Sequence, residues 1–201
     1  SNILHEGIFN NKNLANIDNN KLNDLLKIIQ GQYVSKISKI DSSDKMFIDK
    51  APLNFKYIGF IKKIFPNSKI INCNRDPIDI CWSNYKNFFS GTLPFSNNLN
   101  DLASFYALYQ NYIKFWKELF PNEIYNIVYE ELVENPKEEI KNLLNFCDLR
   151  FEENCLKHEN NPKSIKTASW VQARKPIYKS SSKSFAKYEN YLSSYFEKLL
   201  N

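Results

Sequence analysis

Lys69-Ile70-Ile71-Asn72-Cys73-Asn74-Arg75-Asp76-Pro77 is the most informative run in the sequence. Residues 69–74 read as a strand. Asp76 is a good helix N-cap, and Pro77 suits the first helical position, so a helix should begin there without an intervening loop. A strand that feeds directly into a helix is the signature of an α/β fold with parallel strands. Arg75 then sits at the carboxyl end of a strand, where open α/β sheets bind ligands. Ser83, eight positions later and inside the helix, can turn its hydroxyl toward the same crevice. An arginine fork with a hydroxyl is a sensible cradle for a phosphate. The helix start would add free backbone amides and the positive end of its dipole. On position alone, a surface arginine closing a strand is an equal reading of Arg75.

Upstream, residues 10–20 are polar and rich in Asn, and a 3.6-residue period follows through Leu22, Leu25, Leu26, Ile29, Tyr33, Ile37 and Ile40. This is a surface loop and then an amphipathic helix. After residues 41–44, Met46, Phe47 and Ile48 suggest a short buried strand entering Asp49-Lys50-Ala51-Pro52. Phe55, Ile58, Ile61, Ile64 and Phe65 have helical spacing, stopped by Pro66-Asn67. Downstream, residues 99–119 form a long helix dense in aromatic rings (Phe105, Tyr106, Tyr109, Tyr112, Phe115, Trp116), ended by Pro121-Asn122. At helical spacing those rings read first as core and second as the lining of an acceptor pocket. Residues 124–129 are a third strand candidate and 136–147 another helix. The alternation predicts a parallel sheet covered on both faces. Residues 160–184 lack periodicity and are rich in Lys, Ser and Pro, a composition that suits a functional loop.

With 201 residues, 43% of them hydrophobic, and only 4 Gly and 8 Pro, the chain reads as a single globular domain and not as a collagenous or disordered one. No apolar run approaches the length of a membrane helix. The balance of 27 Lys+Arg against 22 Asp+Glu suits an anionic small ligand as well as a polyanion. Cys73, Cys81, Cys147 and Cys155 form no CxxC pair and only two histidines are present, which argues against a zinc site. The cysteines read as small buried apolar residues of a reducing compartment, the cytoplasm. Ser1 to His5 carry neither the charged nor the apolar region of a secretory signal.

Several strings in order carry a resemblance: Asp49-Lys50-x-Pro52-Leu53-Asn54, Pro66-Asn67-x-Lys69-Ile70-Ile71, Arg75-Asp76-Pro77 with Ser83, Tyr129-Glu130-Glu131-Leu132-Val133, and Thr167-Ala168-Ser169-x-x-Gln172-x-Arg174-x-Pro176-Ile177-Tyr178. Together they resemble the sulfotransferase family, and within it the bacterial branch often attached to tetratricopeptide repeats and related to protein-tyrosine sulfotransferases. The likeness covers about residues 47–188. Each string is weak alone, and the order gives them weight.

The resemblance implies a P-loop NTPase-like parallel sheet flanked by helices. It also implies transfer of a sulfuryl group from 3'-phosphoadenosine 5'-phosphosulfate (PAPS) to an acceptor hydroxyl or amine, with release of 3'-phosphoadenosine 5'-phosphate (PAP) and without a metal. Arg75 and Ser83 would hold the 3'-phosphate and Tyr129 would lie near the adenine. Ser169, Gln172 and Arg174 would belong to the loop that closes over the nucleotide. Lys50 would stand beside the transferring group, so that Lys50 and Ser169 are the catalytic candidates. Lys183 would supply positive charge where similar sequences place a basic residue and a tryptophan and this one has Ser184 and Phe185. Tyr129 as a core residue and Lys50 as a solvated one remain the plainer readings.

The family's first strand and its Gly-rich loop for the 5'-phosphosulfate have no counterpart here: Gly7, Gly31, Gly59 and Gly91 are isolated. His5 and Glu6 are poor substitutes for the glutamate base that follows that loop. The expectation is therefore an N-terminally incomplete domain, whose open sheet edge another chain or a second copy would cover. Two other functions compete. One is a catalytically inactive domain that binds a 3'-phosphonucleotide or a partner protein. The other is nucleic-acid binding through the Lys-rich residues 163–187, with Trp170, Tyr178 and Phe185 as stacking rings.

Overall fold

The computed structural model describes residues 18–39, 46–87, 89, 93–161, 176–177 and 185–200. The chain divides into two compact units, Ser1–Ser68 and Lys69–Asn201.

In the first unit, helix α1 (Asn19–Ser38) starts at Asp18, whose carboxylate accepts hydrogen bonds from the backbone N–H groups of Asn20 (2.9 Å) and Lys21 (3.1 Å). That cap satisfies donors which the helix itself cannot. A 3-10 turn over Pro52–Tyr57 leads into α2 (Ile58–Ile64). Leu26 and Ile29 of α1 pack with Tyr57 and Ile64, and Leu22, Leu25, Phe60, Ile61 and Phe65 surround them. Each such buried side chain contributes about 1.5–3 kcal/mol. The Gln30 side-chain amide donates to the Ile64 carbonyl at 2.7 Å, closing one of the end carbonyls of α2.

The strand expected at Met46-Phe47-Ile48 is not formed. These residues are extended and exposed, Ile48 at 87%, and no strand pairs with them among the described residues. Three apolar residues are too few to distinguish a strand from an extended connection.

In the second unit, β1 (Ile70–Asn74) and β2 (Ile124–Val128) pair in parallel, with Asn72 opposite Asn126 and Asn74 opposite Val128. Between them run α3 (Pro77–Lys86), a 3-10 turn at Pro94–Asn97, and α4 (Leu99–Leu119). After β2 come α5 (Tyr129–Glu134), α6 (Pro136–Phe146) and α7 (Glu189–Leu200). The Asn98 side chain caps α4 through the N–H groups of Asn100 (2.8 Å) and Asp101 (3.3 Å).

Helices flank both faces of the sheet. Tyr109 of α4 donates to Asn72 Oδ1 at 2.8 Å on one face, and on the other Phe146 of α6 lies against Tyr125, with ring centroids 5.3 Å apart. The core of this unit joins Cys81 and Trp82 of α3, Leu102, Ala103 and Tyr106 of α4, and Leu192 of α7. The described residues are thus a mostly helical α/β structure around a small parallel sheet. None of their helices is long and apolar enough to cross a membrane.

The cysteines do not behave alike. Cys81 is buried, Cys147 is half-buried, and Cys73 and Cys155 are exposed, all as free thiols. The expectation of four buried cysteines therefore holds for Cys81 alone. Cys73 and Ile71 occupy the β1 positions that alternate with Asn72, and α6 packs beside β2, so this part of β1 stays open to solvent.

Candidate functional site

Arg75 and Tyr129 are the residues that immediately follow β1 and β2. Because Asn74 is in register with Val128, the next residues of the two strands emerge side by side. The Arg75 guanidinium carbon lies 4.7 Å from the centroid of the Tyr129 ring, a cation–π contact. One turn into α3, the Asp79 carboxylate meets the same guanidinium at 3.3 Å. Asp79 is only 1% exposed and Arg75 22% exposed, so the arginine is gripped from within the unit and still reaches solvent. The two strand ends are further tied by the Asp76 N–H, which donates to Glu130 Oε1 at 3.1 Å.

Ser83 lies four residues beyond Asp79 on α3, hence on the same helix face. It is half-buried, and its hydroxyl makes no hydrogen bond among the described residues. Of the sequence candidates, Arg75 and Tyr129 thus meet at the carboxyl end of the sheet, and Ser83 stands one helical turn past Asp79 on the same face of α3. Their chemistry fits a phosphate: an oriented guanidinium fork and a hydroxyl one helical turn past its anchor.

The start of α3 does not offer the free amides expected of it. The Asp76 carboxylate accepts from the N–H groups of Ile78 and Asp79, both at 2.9 Å, and the Asp76 N–H is engaged by Glu130. A carboxylate already fills the place that an anion would take. Binding of an anion here rests on side chains.

Lys50 belongs to the first unit and stands exposed in the extended run before Pro52. Its neighbour Asp49 accepts a hydrogen bond from the Tyr33 hydroxyl, and the Tyr33 ring also lies 6.0 Å from Phe47 and 5.4 Å from Phe65. Tyr33 thereby fastens the run to α1. Burial, and then the Asp49 hydrogen bond and charge, push the Tyr33 phenol well above its ordinary value.

Ser169, Gln172, Arg174 and Lys183 lie outside the described residues, as do His5 and Glu6. The sequence reading missed Asp79 and Glu130. A signal for Asp79 was present, since it lies four residues after Arg75 at the spacing of helical ion pairs. For Glu130 the signal was weaker, a carboxylate next to Tyr129 at the end of the paired strand.

A model of the sulfotransferase family matches residues 5–153. An uncharacterized protein of Aquifex aeolicus (strain VF5) is 37% identical over 176 residues, covering 86% of this chain and 23% of that protein. A putative protein-tyrosine sulfotransferase of Caenorhabditis briggsae is 28% identical over 116 residues, covering 55% of the chain and 39% of the relative. One from Caenorhabditis elegans is 26% identical over 116 residues, covering 56% and 43% respectively. The chain thus spans less than half the length of each of these relatives.

Proposed function

This chain belongs to the sulfotransferase family, and on that premise we propose that it takes part in sulfuryl transfer from PAPS to an acceptor hydroxyl or amine. The observation that carries the proposal is Arg75 at the carboxyl end of β1, held between the buried Asp79 carboxylate and the face of Tyr129. In this reading Arg75 and Ser83 bind the 3'-phosphate, the group that distinguishes PAPS from an adenosine phosphate without it. Asp79 orients the fork. Tyr129 supports it from below and offers its remaining edge to the adenine.

Bound PAPS supplies the sulfuryl group. The acceptor oxygen or nitrogen forms a bond to sulfur as the bond between sulfur and the bridging phosphate oxygen breaks. That oxygen keeps the electron pair, and the acceptor proton passes to a base or to water. Negative charge gathers on the leaving oxygen, which an ammonium group stabilises. Lys50 is assigned that role, and Ser169, Gln172, Arg174 and Lys183 are assigned to the segment closing over the nucleotide. Residues 1–201 would belong to a sulfotransferase domain of P-loop NTPase-like architecture.

Replacement of Arg75 by Ala tests the assignment. The variant should bind PAP more weakly by about 1.5–3 kcal/mol, roughly ten- to a hundredfold, since it loses a charge-assisted contact. Calorimetric titration reads this directly, and unchanged affinity would remove Arg75 from the site.

A further inference from the structure

Asn72 of β1 and Asn126 of β2 are opposite each other beneath α4, on a face that is normally apolar in a parallel sheet. Asn72 Nδ2 donates to Asn126 Oδ1 at 3.0 Å, and the Tyr109 hydroxyl of α4 donates to Asn72 Oδ1 at 2.8 Å. All three side chains are half-buried. A cleft of about 430 Å³ opens beside them, bordered by Asn72, Asn74 and Asn126 on the sheet and by Tyr106, Tyr109 and Gln110 on α4. A pair of branched apolar residues would cover α4 at least as well, so the polar bridge calls for a reason other than packing.

The sheet is short of other means to fix its register. Five residues of each strand pair, and no third strand joins them among the described residues. A slip by one residue would turn the inward side chains of one strand to the wrong face. A slip by two would leave every side chain on its present face and keep three of the five pairs. Apolar burial penalises the first slip and hardly the second. The amide bridge penalises the second, because it sets Asn72 opposite Ile124 or Val128 and takes the partner from both amides.

Register matters because the strand ends carry the corner. Asn72 lies three residues before Arg75, and Asn126 three before Tyr129. At about 3.3 Å per residue, a two-residue slip would carry Tyr129 roughly 6–7 Å along the strand direction from its present place beside Arg75. A cation–π contact reaches only to about 6 Å, so the one at 4.7 Å would be lost, and the Asp76 N–H bond to Glu130 at 3.1 Å would go with it. We propose that Asn72 and Asn126 are positioning residues. Their bridge, braced by Tyr109, locks the register that sets the Arg75 guanidinium on the Tyr129 ring, and so gives the corner its preference for a 3'-phosphate. The proposal rests on the sulfotransferase reading above and names residues that organise its nucleotide site from inside the sheet.

The test uses the full chain and three changes at one position: Asn126→Leu, Asn126→Ala and Asn126→Asp. Leu and Ala remove the acceptor, and the cleft leaves room for either; Asp keeps it. Thermal unfolding checks that each variant folds. NOEs between backbone protons of the two strands read the register, and calorimetric titrations with PAP and AMP read the preference. The unchanged chain and Asn126→Asp should join Asn74 to Val128 and bind PAP at least about tenfold more tightly than AMP. In Asn126→Leu and Asn126→Ala a second set of NOEs should join Asn74 to residue 126 or 130, and the PAP preference should fall to about twofold or less. A single register in the Leu and Ala variants overturns the lock. A mixed register with the PAP preference intact overturns the positioning role. An unchanged chain without a PAP preference overturns the nucleotide reading of the corner and with it the positioning role, while the NOEs still decide the lock.

Discussion

Arg75 draws its character from the residues around it. Asp79 neutralises it from inside, Tyr129 spreads beneath it, and the 22% of its side chain left exposed is the part available to an anion. Trp82, on the same helix, shows the opposite economy. It is buried in the core, yet its indole N–H has no hydrogen-bond partner among the described residues. A buried donor without a partner costs about 1–3 kcal/mol. Trp82→Phe should therefore offset much of its lost apolar contact and change stability by less than about 1 kcal/mol. Trp82→Ala should cost about 3–5 kcal/mol. Denaturant unfolding of the two variants would check this, and a Phe variant as damaged as the Ala variant would show that the indole nitrogen is satisfied. The sequence announced Arg75 and Tyr129 through strand ends and resemblance. It did not announce the amide chain of Asn72 and Asn126, because a polar residue inside a strand gives no sign of facing a cleft until the register is known.

The elements whose ends carry strong local chemistry were legible in advance. Asp76-Pro77 marks the start of α3, and α4 spans Leu99–Leu119 as its aromatic period and its Pro121 stop imply. The reverse turn after α4 has the Glu123 N–H bonded to the Phe120 carbonyl at 3.2 Å, with Asn122 at φ 65°. Proline followed by a left-handed residue is the pattern of a type II turn, which glycine fills without strain. Asn122→Gly should leave stability unchanged or raise it by up to about 1 kcal/mol, and Asn122→Val should lower it by about 1–2 kcal/mol. Thermal unfolding distinguishes these outcomes; a harmless Val would contradict the left-handed turn. The failed strand at Met46-Phe47-Ile48 teaches the converse. A short apolar run has no structure of its own, and what it becomes depends on a neighbouring strand that local sequence does not specify. The α7 helix escaped notice, although Leu192 and Tyr195, which pack in the core, stand at helical spacing.

Over the whole molecule, titration links the second unit's core to pH. Burial, with a smaller push from the Asp76 charge, raises the Cys81 thiol from 9.0 to about 12. Burial first, then the neighbouring Tyr109, raises the Tyr106 phenol from 10.0 to about 12. Both groups stay protonated in the folded chain where the unfolded chain has already lost their protons. Their contribution is thus intact below about pH 9 and declines as pH rises toward 12, by up to about 1.4 kcal/mol per pH unit for each group. The unfolding midpoint should fall steadily as pH rises from about 9 toward 12, the window between the unfolded and folded values. Cys81→Ala should flatten the early part of that fall. A midpoint that holds constant or rises over this range would contradict the burial of these two groups.

The central claim is that the corner built by Arg75, Ser83 and Tyr129 recognises a 3'-phosphate on an adenosine nucleotide. The most direct measurement is a calorimetric titration of the folded 201-residue chain with PAP and, separately, with AMP. The account predicts that PAP binds at least about tenfold more tightly than AMP, the difference being the charge-assisted contacts to the extra phosphate. Equal affinity for the two nucleotides, or binding of neither, would contradict it.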